Sequence, residues 1–232
     1  MYNDHMPNSA YEIRLCETCG LRYPLMEAHP FGTRCPACMG ETRTVLRRVS
    51  AEEAKPRDGM REGVNDEERG KRLAVLLDNL RSGWNVGSIL RSADGFGFTH
   101  AFLCGITPPG DNEAVAKTSL GAEVSVPWSY HKDAVKLVKG LKHESWKMYG
   151  LEEAGRAIPL SAAHDPPAGT CERAVLIVGN EVTGVDPELL ALCDEVFHIQ
   201  MRGEKRSFNV AVAFGIAAYA LTIPMKETNS DG

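Results

Sequence analysis

The sequence has no surplus of positive charge. Its 232 residues carry 26 Lys and Arg against 31 Asp and Glu, a formal charge of −5. Neither end makes up the deficit, since residues 1–70 hold 10 basic and 12 acidic side chains and residues 71–232 hold 16 and 19. That excludes an indiscriminate polybasic binder of nucleic acid or membrane surfaces, and any polyanion must be held by local patches. Aromatic residues are scarce, at 7%. The longest apolar run, Val210 to Met225, is shorter than the roughly 20 residues that span a bilayer. The first fifteen residues include Asp4, His5, Pro7, Glu12 and Arg14, where a signal peptide needs an apolar stretch. The expectation is a cytoplasmic protein without a membrane partner, in a compartment that keeps thiols reduced. Neither a Walker A motif nor G-x-G-x-x-G is present, which disfavours nucleoside triphosphates and dinucleotides.

Cysteine is present and unevenly placed. Four of the seven, Cys16, Cys19, Cys35 and Cys38, fall in the first 38 residues, as CETC and CPAC separated by fifteen residues. Two C-x-x-C knuckles at this spacing predict a four-thiolate zinc site. Two redox pairs would need a thioredoxin-like surrounding, which is missing. His29 is not required, because four thiolates close the shell. A closed shell has no position for substrate, so the metal is structural and supplies the folding free energy that so small a segment lacks. Gly20 and Gly40, just after the knuckles, suit tight turns. The segment has arginine but no lysine, with Arg43, Arg47 and Arg48 the candidates for phosphate contact.

Five regions are expected: a tail at 1–10, a zinc-ribbon-like domain at 11–50, a charged linker at 51–71, an α/β domain at 72–225 and a tail at 226–232. Within 72–225, RLAVLLD (72–78), HAFLCG (100–105), VSVPW (124–128), WKMYGLE (146–152), AVLIVGN (174–180) and EVFHIQM (195–201) read as strands. Helical patterns lie between them, and the stretch from Phe208 to Ile223 is an apolar helix rich in Ala and Gly. Alternating strands and helices predict a mainly parallel sheet covered on both faces. Cys104, Cys171 and Cys193 read as small buried hydrophobes. Lys132, Lys136, Lys139 and Lys142 read as a solvated helix face, and Trp84 either packs or stacks on a base.

Three polar constellations carry the chemistry. Asn85, Ser88 and Arg91 recur every third residue in a helix that follows a strand, where open α/β sheets place ligand groups. In LIVGNEVTGVDPE a buried strand ends at Gly179-Asn180-Glu181, then comes Gly184 and a helix opening at Asp186-Pro187, a favourable N-cap and first-turn pair. In HIQMRGEKRSFN a strand runs through a basic loop to Ser207 and Asn209 at the start of the apolar helix. A helix apolar almost all round must be buried on most sides, and a subunit interface is one way to bury it.

In order and spacing, Asn85-x-Gly87-x3-Arg91, Lys117-Thr118-Ser119-x-Gly121-Ala122, Gly179-x-Glu181-x2-Gly184 and Met201-x-Gly203-x3-Ser207-x-Asn209-Val210 resemble the SpoU/TrmH branch of the SPOUT superfamily. The resemblance covers roughly residues 72–224. It implies an S-adenosylmethionine-dependent RNA 2′-O-ribose methyltransferase acting on structured RNA, tRNA or rRNA, as a homodimer. It further implies a C-terminal deep trefoil knot, an exception to the usual rule of unknotted chains. Cofactor would lie against Gly179, Glu181, Gly184, Ile199, Met201 and Phe208. Arg91 matches the family's catalytic arginine, with Asn85, Glu181, Ser207 and Asn209 completing the site. Gln200 and Phe208 stand where the family commonly has proline and leucine, and the zinc ribbon is not its usual extension. A non-catalytic RNA-binding factor on the same fold and a base-nitrogen methyltransferase are the alternatives.

Overall fold

The computed structural model describes residues 10–26, 33–49, 72–162 and 173–222. The expected tails, apart from Ala10, and the charged linker at 51–71 lie outside the described residues, as do His29 and Cys171. The chain divides into two compact units, 1–65 and 66–232.

In the first unit, β1 (Ala10–Cys16) is flanked by β2 (Arg22–Met26) and β3 (Thr42–Val49), both antiparallel to it. The ladder is interrupted once. Ile13 pairs with Leu46 and Arg14 with Thr44, so Val45 is an extra residue in β3, a β-bulge. Among the described residues both hydrophobic clusters lie at or beyond Leu73, and the small sheet belongs to neither. The knuckles close alike. The Gly20 N–H donates to the Cys16 carbonyl and the Met39 N–H to that of Cys35, at 3.1 and 2.9 Å. Gly20 (φ 73°) and Met39 (φ 58°) hold the left-handed position of each turn. The second turn therefore uses methionine where glycine is favoured, while Gly40 is needed for room, because a Cβ there would strike Thr18.

The second unit is a seven-stranded, wholly parallel sheet built from β4 (Arg72–Asp78), β5 (His100–Cys104), β6 (Trp128–His131), β7 (Lys147–Leu151), β8 (Ile158–Pro159), β9 (Arg173–Val178) and β10 (Glu195–His198). Their order is β6-β5-β4-β9-β7-β10-β8. Near-continuous apolar runs such as LAVLL and AVLIV suit strands buried on both faces. On one face, α1 (Gly83–Gly95) and α6 (Val210–Thr222) cover a cluster that includes Leu77, Ile89, Leu176, Phe197 and Phe214. On the other, α4 (Ala134–His143) and α5 (Pro187–Leu192) cover Leu76, Val138, Ile177 and Leu189. The expected parallel sheet with helices on both faces is the one observed. Two lysines of α4 are committed, Lys139 to Glu188 at 2.9 Å and Lys142 to Asp194 at 3.3 Å.

One expected strand is absent. VSVPW enters a short helix, α3 (Ala122–Ser125), and pairing begins only at Trp128. The cause precedes it: α2 (Glu113–Ser119) ends on left-handed Leu120 and Gly121, and Glu123 turns back to accept the Ser119 hydroxyl and the Gly121 N–H. Local capping overrides the β-branched run.

Candidate functional site

Strands β7, β9 and β10 point their carboxyl ends at a cleft of about 370 Å³, the end at which open α/β sheets bind ligands. Leu151 and Val178 come from the strand ends, Gly179, Asn180, Glu181 and Gly184 from the loop after β9, and Ile199 and Met201 from the segment after β10. Ser207, Phe208 and Asn209 close the cleft beside Val210 and Ala213 of α6.

The loop after β9 is held by Asn180. Its Oδ1 accepts the N–H groups of Val182 and Thr183, its Nδ2 donates to the Asn79 carbonyl at 2.6 Å, and its backbone exchanges both hydrogen bonds with Gly184. Gly184, at φ 72°, takes a conformation that suits glycine. Gly179 has a different constraint, since a Cβ there would overlap the backbone of Gly184 and Val185. The close backbone approach that requires glycine here is thus made within the loop itself. Asp78, 2% exposed at the end of β4, accepts the Asp186 N–H at 3.0 Å, and its burial pushes its carboxyl above the ordinary range. Asp186 caps α5 through the Glu188 N–H, with Pro187 following, as the sequence predicts.

Glu181 ties the cleft to α1. Its carboxylate accepts the N–H groups of Arg81 and Ser82 at 2.9 and 3.1 Å and the Asn85 amide at 2.9 Å. Partial burial pushes its pKa up, but these donors outweigh it and hold the carboxyl below the ordinary value of 4.5. Asn85 in turn accepts from Asn209 Nδ2 at 3.1 Å, and Asn209 Oδ1 accepts the Ala211 N–H at 2.9 Å, at the start of α6. The ends of this chain determine every amide orientation within it. A carboxylate only accepts and a backbone N–H only donates, so Asn85 must turn its NH2 to Glu181 and Asn209 its NH2 to Asn85.

Of the residues the sequence singles out, Gly179, Glu181, Gly184, Ile199, Met201, Ser207, Phe208 and Asn209 all line the cleft. Asn85 reaches it through Glu181 and Asn209. Arg91 does not line it: the side chain is exposed on α1, six residues and about 9 Å along the axis from Asn85. Gly87 serves packing, since a Cβ there would meet Val115 and Thr118 of α2. Trp84 is 60% exposed, against the packing alternative. Asn180, quoted in the sequence between Gly179 and Glu181, also lines the cleft, as do Glu152 and Glu153, which carry no sequence signal beyond their place at the end of a strand. Cys104 and Cys193 are buried, and that burial pushes their thiols up to about 12 and about 11, which makes them inert.

In the first unit the four cysteine sulfurs lie within 4.8 Å of one another. Cys16 and Cys38 sulfurs are 3.5 Å apart and those of Cys19 and Cys35 3.7 Å. Zinc–sulfur bonds of about 2.3 Å put tetrahedral thiolates roughly 3.8 Å apart, so the donor set fits zinc in chemistry and in size. The Cys19 N–H, donating to Cys16 Sγ at 3.4 Å, leads the causes that lower the Cys16 thiol to about 6. The Gly40 N–H also favours the Cys38 thiolate, but the sulfurs of Cys19 and Cys16 push it up to about 12. Two thiolates this close repel unless a cation lies between them.

Residues 72–219 match the SpoU rRNA Methylase family. An uncharacterized tRNA/rRNA methyltransferase of Mycobacterium bovis is 33% identical over 150 residues, 64% of this chain and 44% of that one. A 23S rRNA (guanosine-2′-O)-methyltransferase of Bacillus subtilis is 31% identical over 154 residues, 65% of this chain and 58% of that one. The chain thus spans about half the length of these relatives. The crystal structure of the SpoU methyltransferase AviRb from Streptomyces viridochromogenes with the cofactor AdoMet superposes with a TM-score of 0.58 at 24% identity, covering 66% of this chain and 60% of that one.

Proposed function

Because the chain belongs to the SpoU rRNA methylase family, we propose that it is an S-adenosylmethionine-dependent RNA methyltransferase that modifies a ribose 2′-hydroxyl of tRNA or rRNA. The observation that carries this reading is the hydrogen-bonded chain Glu181–Asn85–Asn209 beside a cleft at the carboxyl ends of the strands. The cleft suits the cofactor. Leu151, Val178, Ile199 and Ala213 offer apolar surface for a purine, while Glu152, Glu153 and Glu181 add negative charge near a cationic sulfonium. The relatives named for tRNA, rRNA or 23S rRNA methylation favour those substrates.

S-adenosylmethionine supplies an already activated sulfonium methyl, so the chain's own residues have to bind, orient and stabilise charge. Backbone at Gly179, Gly184, Ile199 and Met201, with Phe208, holds the cofactor. Glu181 and Asn85 hold α1 and the Asn209 end of α6 in register with it. Arg91 orients the ribose hydroxyl and stabilises the negative charge that develops on its oxygen, while the hydroxyl proton passes to a neighbouring RNA phosphate or to water. Arg91 acts by electrostatics, because a guanidinium is a fixed cation and not a proton acceptor. Arg91 does not line the cleft of its own chain, and Val212, Ile216 and Tyr219 leave an apolar stripe of α6 exposed, at 50%, 37% and 56%. Both support a homodimer in which Arg91 serves the neighbouring cleft. The strand order, with β9 between β4 and β7 and the segment after β10 returning to α1 through Asn209, supports the trefoil knot. The reading also includes a structural zinc on Cys16, Cys19, Cys35 and Cys38, a boundary between zinc ribbon and catalytic domain within 51–71, and the cytoplasm as the reducing compartment that keeps the thiols available.

Purified protein with tritiated S-adenosylmethionine and tRNA or rRNA is expected to label RNA. Nuclease digestion and mass spectrometry should locate the methyl on ribose; a methyl on a base nitrogen would overturn the assignment. Arg91→Ala should lower transfer by 100-fold or more while cofactor affinity and sedimentation as a dimer are kept. Full activity in that variant would remove Arg91 from the mechanism.

A further inference from the structure

One face of the three-stranded sheet combines arginine with apolar side chains, and we propose that it binds unpaired nucleotides of the RNA substrate. The inference rests on the methyltransferase reading for its choice of polyanion. Directly opposed residues of an antiparallel sheet share a face, so the pairings sort the side chains. Tyr11, Ile13 and Leu15 of β1 lie with Arg22, Pro24 and Met26 of β2 and with Arg43 and Leu46 of β3. Glu12 and Arg14 lie on the opposite face, where the Arg14 guanidinium is engaged by Glu12 at 2.6 Å and by Thr42 and Thr44. Arg48 is the register partner of Tyr11, so among the described strand residues the first face holds arginine at three positions, 22, 43 and 48, and no carboxylate.

The bulge at Val45 produces this sorting. In a regular strand Arg43 and Arg47, four residues apart, share a face. The extra residue reverses that, so Arg47 pairs with Glu12, whose carboxyl it helps to hold low, and Arg43 pairs with Leu15. Leu15 also pairs with Arg22 from the other side, which puts the two arginines astride it, two strand spacings or roughly 10 Å apart. The arginine cluster expected from sequence is therefore divided: Arg43 and Arg48 pair with Leu15 and Tyr11, Arg47 pairs with Glu12, and Arg22 joins Arg43 across Leu15. Guanidinium groups bind phosphate in a bidentate way. The row between them, with Met26 45% and Leu46 40% exposed and Tyr11 at its end, offers apolar and aromatic contact to base faces. Those faces are available only where nucleotides are unpaired.

The test uses the full-length protein and fluorescence anisotropy with two RNAs, a stem with an unpaired loop and a perfect duplex of equal length. Wild type is expected to prefer the looped RNA. Arg43→Glu and Arg22→Glu should each weaken that binding about tenfold and flatten its salt dependence by about one unit. Arg47→Glu, the same charge change on the same strand, should alter it less than threefold. Leu46→Ser should narrow the preference for the loop without changing the salt dependence. Zinc content and cofactor affinity should be unchanged in all four. Equal losses in Arg43→Glu and Arg47→Glu, equal affinity of wild type for loop and duplex, or a change of oligomeric state in the face variants would each overturn the proposal. Methyl transfer by wild type, measured alongside, separates the two claims. Transfer with undiminished binding by Arg22→Glu and Arg43→Glu rejects this face alone. Loop binding through the face without transfer rejects the methyltransferase reading alone.

Discussion

Two residues show how single side chains set local geometry. Glu181 accepts three donors, and its carboxyl is held below 4.5. A carboxyl with a lowered folded pKa contributes stability that is complete above the unfolded value and disappears as pH falls through the folded one. Urea titrations of wild type and Glu181→Gln are therefore expected to differ by a constant amount above pH 4.5 and to converge below it. Curves that stay parallel into the acid range would contradict the assigned bonds. Met39 occupies the left-handed position that Gly20 fills in the other knuckle, and it is 64% exposed. A left-handed L-residue costs roughly 1–2 kcal/mol, partly offset by the entropy glycine loses on folding. Met39→Gly should tighten zinc binding by up to about fivefold in a competition titration, and weaker binding would show that the methionine side chain contributes to the turn.

At the scale of elements, a contact between helices explains the glycine of the Asn85-x-Gly87-x3-Arg91 motif. Gly87 lies where α1 meets α2, and an added Cβ would overlap the Val115 carbonyl and the Thr118 hydroxyl, which itself donates to the Trp84 carbonyl. Gly87→Ala should cost about 2–3 kcal/mol through overpacking and lower the melting temperature by several degrees. Gly95→Ala in the same helix, where a Cβ meets nothing within 4 Å, should be neutral or slightly stabilising. Equal melting temperatures for the two variants would mean that α1 and α2 can separate without loss. Element types were largely legible in the sequence, because burial on both faces leaves continuous apolar runs and Asp186-Pro187 opens its helix. The segment at 124–128 was not, because its conformation depends on Glu123 reaching back to Ser119 and Gly121.

At the scale of the molecule, the two units are stabilised differently. Among the described residues, 72–222 contain both hydrophobic clusters, whereas the buried residues of the first unit are Arg14, Cys16 and Cys35. With the structural zinc proposed for the four cysteines, so small a core would rely on the metal. Chelation under reducing conditions is expected to remove the circular-dichroism signal of the small sheet while the larger unit keeps its thermal transition. Metal-free protein with an unchanged spectrum would refute the dependence.

The sequence by itself determined what short-range chemistry controls. Each C-x-x-C spacing brings two thiols to one turn within four residues, Asp-Pro opens a helix, and apolar periodicity separates strand from helix. The tertiary structure decided what depends on distant residues meeting. The chain Glu181–Asn85–Asn209 joins positions 96 and 124 residues apart. The bulge at Val45 is visible only as a shift in pairing with β1, and it assigns Arg43 and Arg47 to opposite faces. Arg91, whose place in the motif is plain in sequence, stands outside the cleft of its own chain. A side chain's type is local, but which face and which cleft it serves depends on pairing and packing across the whole fold.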